Sequence, residues 1–258
     1  MVGACTLETI GPAMVTGIVD AHTVMLDGGH EARLSAIEVE PADPAAREAI
    51  LPAEALRSVL NREVILRRLG PEQDRYGRLL VQLFVRDQGK ERWIQADLLA
   101  HGEARMAARV GDRGCARELL SSEKIAHDAK LGVWAAADSG MIQAEDVGRL
   151  ANSRGRFALV EGKVVSVRES GSTIFVNFGR RWTEDFVVTV AKRNERAFAT
   201  AGVAPFRLQG RRVRVRGVIE GQFSNHRSSQ FLCPFQRERL RCRIVRPAGR
   251  ITEREIAE

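Results

Sequence analysis

The sequence predicts a β-rich α+β protein built as two consecutive β-barrel domains, and three observations carry that expectation. Two β-prone runs, 17–26 and 31–37, flank Asp27-Gly28-Gly29, and Asp-Gly or Gly-Gly between such runs is the strongest short-range hairpin signal. The C-terminal half reads strand, strand, strand, helix, strand, an order compatible with a second OB-like barrel. The charge also reverses along the chain. Residues 1–150 hold 18 Lys and Arg against 23 Asp and Glu, a balance of −5, whereas residues 151–258 hold 22 against 10, a balance of +12. Such a reversal argues for two domains with different partners, the second a natural binder of polyanions.

In chain order, the opening MVGACTLETIGPAM has neither a basic n-region nor an apolar h-region. No run approaches the roughly 18 apolar residues of a membrane helix. As written, the sequence reads as cytoplasmic. Val2-Gly3-Ala4-Cys5 looks like the end of an export cleavage site, and an upstream start would make the compartment periplasmic or extracellular. Asp20, His22 and Thr23 cluster on the first strand, Arg33 lies on the second, and Glu38 and Glu40 follow it. Prolines at 41, 44 and 52 limit the next helices to about 45–50 and 53–60.

Strands are expected at 63–69 and 79–86, around the turn Asp74-Arg75-Tyr76-Gly77-Arg78. A helix over 93–101 puts Ile94, Leu98 and His101 on one face and stops at Gly102. A second, over 115–130, buries Ala116, Leu119 and Leu120 and ends at Gly132, after which Trp134 caps the core. Arg67, Arg68, Arg75, Arg105, Arg109 and Arg113 read as a solvated face. His22 reads as a half-buried strand residue or, alternatively, a metal ligand. Residues 138–152 read as a linker between domains at 1–137 and 153–258.

Asp20-Ala21-His22-Thr23, the run Arg33 to Pro41, and Asp74 to Arg78, followed by RWIQADLLAHGEARM and KLGVW, resemble the thermonuclease (staphylococcal-nuclease-like) family over residues 1–137. That family carries D-G-D-T, R-L-x-G-I-D-x-P-E and D-x-Y-G-R on a five-stranded OB barrel with helices. The resemblance implies calcium-dependent phosphodiester hydrolysis, with a glutamate activating water and two arginines on the phosphate. Carried over by position, the arginines are Arg33 and Arg78, the base falls at Glu40, and the metal positions fall at His22 and Glu38. Here the first metal carboxylate is a histidine, the second is a longer glutamate, and Pro-Glu is reversed to Glu40-Pro41. Calcium wants six to eight oxygens; imidazole suits zinc, copper or nickel. Losing a placed base costs about 10²–10⁴ in rate. The expected function is therefore nucleic-acid binding with weak or lost metal-dependent phosphodiesterase activity. The alternatives are an active metal-dependent endonuclease with a rearranged site, and a protein-interaction scaffold.

In the second half, strands are expected at 156–168, 173–178, 185–190 and 210–219, with a helical segment at 192–201 and a candidate closing strand at 240–245. This half resembles the C-terminal segment accompanying some bacterial thermonuclease-family proteins. In RRVRVRG, alternation puts Arg212, Arg214 and Arg216 on one face and Val213 and Val215 in the core. With Arg180, Arg181 and Trp182 they suit single-stranded nucleic acid, which OB surfaces bind by a basic groove and stacking aromatics; the alternative is a solvated face. Phe175 and Phe178 read as core. Four cysteines at 5, 115, 233 and 242 include no C-x-x-C, which argues against a zinc site. Cys5 and Cys115 flank the nuclease-like half, and a bridge between them is expected if the protein is exported.

Overall fold

The structure is a computed structural model that describes residues 4–39, 54–108, 110, 112–135, 141–181, 185–200, 202–223 and 238–243. Contacts divide the chain into Met1–Ser139 and Gly140–Glu258.

The first unit runs β1 (Glu8–Asp20), β2 (Thr23–Leu26), β3 (Glu31–Leu34), β4 (Ile37–Glu38), α1 (Glu54–Arg57), β5 (Glu63–Arg68), β6 (Leu79–Asp87), β7 (Lys90–Trp93), α2 (Ile94–Ala100), β8 (Arg105–Met106) and α3 (Arg113–Asp128). Strand β1 pairs with β2 along one part and β5 along another, bending through register shifts that mark bulges. β2 pairs with β3, β5 with β6, and a parallel β3–β6 pairing closes the ring. The result is a closed five-stranded barrel. Its interior follows from alternation: Val15, Val24, Leu34, Val64, Val81 and Leu83 are all fully buried. The helices add Leu98, Leu99, Ala116 and Leu119, also fully buried. The Asp112 side chain caps α3 by accepting from the Cys115 amide at 2.9 Å. A Cys5–Cys115 disulfide ties the segment ahead of β1 to this first turn. The approach is close enough that a Cβ on Gly114 would lie 2.6 Å from the Ala4 carbonyl carbon.

One local expectation changes. The run 17–26 is not a single strand; it turns at Ala21-His22 between β1 and β2. The cause is local, because the Asp20 Oδ1 accepts the His22 backbone N–H at 2.9 Å, an Asx turn.

The second unit runs β9 (Met141–Gln143), α4 (Val147–Asn152), β10 (Phe157–Lys163), β11 (Ser166–Ser170), β12 (Thr173–Asn177), β13 (Val187–Ala191), α5 (Glu195–Thr200), β14 (Arg212–Phe223) and β15 (Glu238–Arg243). β11 pairs with β12, β12 with β13, β13 in parallel with β15, β15 with β14, and β14 with β10. Taking β10 and β11 as one strand bent at Val164-Val165, this is the same ring order as in the first unit. The closing strand begins two residues before the expected 240. Residues 141–152, expected to be a linker, instead belong to this unit: β9 pairs in parallel with β10, and Ile142, Ala144 and Leu150 join its core. Three buried side chains spread over a short strand, the turn after it and one helix leave no readable period.

Candidate active site

The rim of the first barrel collects Asp20, His22, Thr23, Arg33 and Arg78. Asp20 ends β1; its Oδ1 accepts the His22 backbone N–H at 2.9 Å and lies 2.8 Å from the ring Nδ1. The His22 carbonyl accepts the Leu34 N–H at 2.8 Å, which fixes the turn against β3. Register places Thr23 opposite Arg33, and Arg33 opposite Leu80, two residues beyond Arg78. Barrel closure thus brings together residues 45 positions apart in sequence, Arg33 and Arg78.

Arg78 is held from below. Its Nε and Nη2 reach Asp74 Oδ2 at 2.8 and 2.7 Å, while Asp74 Oδ1 accepts the backbone N–H groups of Tyr76 and Arg78. Burial would raise the Asp74 pKa, but the Arg78 side chain and those two amides outweigh it, so the carboxyl titrates below its usual range. The clamp is therefore complete above the ordinary carboxylate pKa and is lost only as pH falls through the depressed one. Tyr76 is 67% exposed, with Arg75 and Arg78 over its ring at 4.7 and 5.4 Å. Its hydroxyl accepts from Arg75 at 2.7 Å, a hydrogen bond made at the turn itself.

The His22 pKa is lowered first by burial and further by the charges of Arg33 and Arg78, against the opposing pull of Asp20. The contact with Asp20 is made at Nδ1, which leaves Nε2 on the opposite side of the ring.

Glu38 lies on β4, opposite Arg105 of β8. Arg105 is 8% exposed with its guanidinium 5.3 Å from the Trp134 ring centroid, so it is not part of the solvated face expected for it. Buried Glu123 of α3 holds β8 in place by accepting the Met106 N–H at 2.7 Å. After Arg33, Gln82 donates to the Ser35 carbonyl and Oγ at 3.0 and 2.7 Å and accepts from Trp93 Nε1 at 2.9 Å. This network fixes a strained residue. Ala36 has φ +67°, in the left-handed region, where the family motif carries glycine. An alanine there costs about 1–2 kcal/mol, partly offset by the entropy glycine loses on folding. Ala36→Gly is expected to raise stability by up to about 1 kcal/mol, measured as an upward shift of the urea midpoint at constant m-value. A lower midpoint would show that the Ala36 methyl contributes packing worth more than the strain.

The calcium ligand set implied by the resemblance does not form. One carboxylate position is an imidazole whose Nδ1 lies 2.8 Å from Asp20 Oδ1, and that oxygen already accepts the His22 backbone N–H. A hard cation needing six to eight oxygens is not matched by these donors. Glu40 and Pro41 lie outside the described residues. The one metal-spaced group among the described residues is Cys5, Asp112 and Cys115, whose two sulfurs are joined to each other.

Residues 46–136 match the family described as Staphylococcal nuclease homologue. The first unit is a thermonuclease-family domain. The matched stretch contains Arg78 and begins after β4, so the strands bearing Asp20, His22 and Arg33 precede it. They belong to the same thermonuclease barrel because β3 pairs with the matched β6. No curated protein matches the chain.

On the second unit, alternation along β14 holds: Val213 and Val215 are buried, with Arg212 and Arg214 exposed on the other face. Arg212 and Arg214 are engaged by side chains of their own unit, however. Arg212 Nε meets Glu161 Oε1 at 2.5 Å and its Nη2 meets Gln143 at 2.7 Å, while Arg214 Nη2 meets Glu161 Oε2 at 3.0 Å. Burial would raise the Glu161 pKa, but these two guanidiniums hold it below the usual range. Arg216 stands opposite Leu159. Arg180 and Arg181 are exposed in the β12–β13 connection, where Asp185 Oδ2 accepts the Arg181 N–H at 2.6 Å. A Cβ at Gly179 would stand 2.0 Å from that Asp185 oxygen, so the loop requires glycine. Trp182 lies outside the described residues. Phe178 is in the core, but Phe175 is only half-buried, since Ile174 and Val176 take the inward positions of β12.

The sequence reading missed Asp20 as the partner of His22, Asp74 as the clamp on Arg78, and Glu161 as the clamp on Arg212 and Arg214. The first two carry local signals, an Asp two residues before a turn residue and an Asp four before an Arg. Glu161 carries none, because its partners are 51 and 53 positions away.

Proposed function

We propose that the protein binds nucleic acid, single strands in particular, through a thermonuclease-family domain in which calcium-dependent hydrolysis is weakened or lost. The observation that carries this reading is the Asp20–His22 pair standing where the family places a calcium carboxylate, beside the retained Arg33 and Arg78. Arginine keeps its charge at any working pH and matches phosphate geometry. The basic second unit supports the same partner.

The test is fluorescence anisotropy of the full chain with a short labelled single strand at several salt concentrations, with calcium or with chelator. Binding is expected to be salt-dependent and insensitive to chelator, and Arg33→Gln with Arg78→Gln should flatten the slope of log affinity against log salt by about 1.4, roughly 0.7 per phosphate contact. Glu161→Gln is expected to steepen it by a similar amount, because it releases two guanidiniums that now face a carboxylate. Absence of salt-dependent binding would refute the reading and favour a protein-interaction scaffold.

A further inference from the structure

The departures from the thermonuclease pattern do more than remove calcium ligands; together they assemble a different set of groups. A carboxylate oxygen lies 2.8 Å from Nδ1 of a half-buried imidazole, so the ring is oriented with Nε2 on the side away from Asp20. The backbone on both sides is pinned, by the Asx turn and by the Leu34 N–H on the His22 carbonyl. Strand register sets Arg33 opposite Thr23, the residue after His22, and opposite Leu80, two residues beyond Arg78, and the charges of both arginines bear on the ring. Arg78 is further immobilised by Asp74. An oriented base beside two guanidiniums, one of them clamped, is what a phosphodiester needs if it brings its own nucleophile. RNA does so, through the 2′-hydroxyl next to each phosphorus, and then no water has to be activated. DNA has no such group.

We propose that this rim cleaves single-stranded RNA without a metal ion, with His22 as the catalytic base at the 2′-hydroxyl and Asp20 as its positioning residue. The 2′-O–H proton passes to His22 Nε2. The 2′-oxygen bonds to the adjacent phosphorus as the bond from phosphorus to the 5′-oxygen of the next nucleotide breaks. The departing 5′-oxygen takes the proton back from Nε2–H, leaving a 2′,3′-cyclic phosphate and a 5′-hydroxyl, with His22 neutral again. Arg33 and Arg78 hold the non-bridging oxygens and stabilise the negative charge that builds on them. This rests on the reading of nucleic acid as the ligand and adds to it a substrate class and a reaction.

The experiment uses the full chain in excess EDTA, with a 5′-labelled single-stranded RNA, the matching DNA and the 2′-O-methyl RNA; binding is followed by anisotropy alongside cleavage. The expected result is cleavage of RNA alone, to fragments ending in 2′,3′-cyclic phosphate, with all three strands bound. His22→Gln should lower kcat by about 10²–10⁴ with binding and melting temperature retained. Asp20→Asn, which keeps the Asx turn, should lower kcat while leaving KM in place. Should His22→Gln fail to fold, His22→Asn serves as the second variant, and the stereochemical requirement for a free 2′-hydroxyl is tested on the unmodified chain. RNA bound but uncut in EDTA would overturn this proposal and leave the binding function standing; loss of binding to all three strands would overturn both. Cleavage that survives the His22 variants, or that EDTA abolishes and zinc restores, would also overturn it.

Discussion

Rebuilding the family pattern with His22→Asp, Glu38→Asp, Glu40→Pro and Pro41→Glu is expected to create calcium-dependent cleavage of DNA, at least about 10²–10⁴ above the unmodified chain. Two separate changes contribute. Aspartates at 22 and 38 restore oxygen ligands of the charge and length a hard cation selects, and His22→Asp removes the ring that now engages Asp20. Glutamate at 41 returns the base to the position the motif assigns it. The two arginines that the resemblance assigns to the phosphate need no replacement, since Arg78 is already clamped by Asp74 and Arg33 is already aligned by β2 and β6. Initial rates on single-stranded DNA with calcium and with EGTA provide the measurement. Robust calcium-dependent turnover by the unmodified chain, lost on Arg33→Ala or Arg78→Ala, would establish instead that the present residues form a working metal site. The same quadruple variant should lose any EDTA-resistant cleavage of RNA, since it has no imidazole at the rim. The two activities are thus expected to exchange between the two sequences.

The second large effect concerns the Cys5–Cys115 bridge, which spans 110 positions. Cross-linking residues so far apart removes much loop entropy from the unfolded chain, and the chain-entropy model gives about 4–5 kcal/mol for such a loop, a figure engineered bridges usually fall short of. Cys5→Ala with Cys115→Ala is expected to lower unfolding free energy by an amount approaching that bound. Cys115 is fully buried at the first turn of α3, so alanine there also leaves a small void. The consequence reaches the rim. The segment held by Cys5 leads directly into β1, whose far end carries Asp20, and β1 pairs with both β2 and β5. Urea titrations of the oxidised protein, the reduced protein and the double variant separate the contributions. Equal midpoints for the oxidised and reduced protein would show that the bridge does not stabilise this fold, and peptide mapping without reductant should recover Cys5 and Cys115 joined.

Elements defined by contacts within a few residues were legible in the sequence. The Gly102 stop of α2, the alternation along β14, and the strands on either side of Asp74 to Arg78 all lie where hydrophobic period and turn chemistry place them. The order of the second barrel was legible too, since strand, strand, strand, helix, strand admits few closures, and β15 supplies the missing wall. The chemistry of the site was only half legible. Residue types announced two arginines and a histidine in place of a metal carboxylate. The sequence left His22 as a half-buried strand residue or a metal ligand; the structure places it in the Asx turn after β1, with its ring against Asp20. Arg105 and the β14 arginines show the stronger limit. A lone arginine in sequence reads as solvated because exposure is its usual state. Arg105 is buried because a two-residue strand pair and α3 enclose it, and Arg212 and Arg214 are engaged because β10 lies beside β14 and aims Glu161 at them. Local pattern determines which elements form, since it depends on the periodic placement of apolar groups over a few residues. The partners of a charge are set by strand neighbours distant in the chain, and only the closed barrels bring those together.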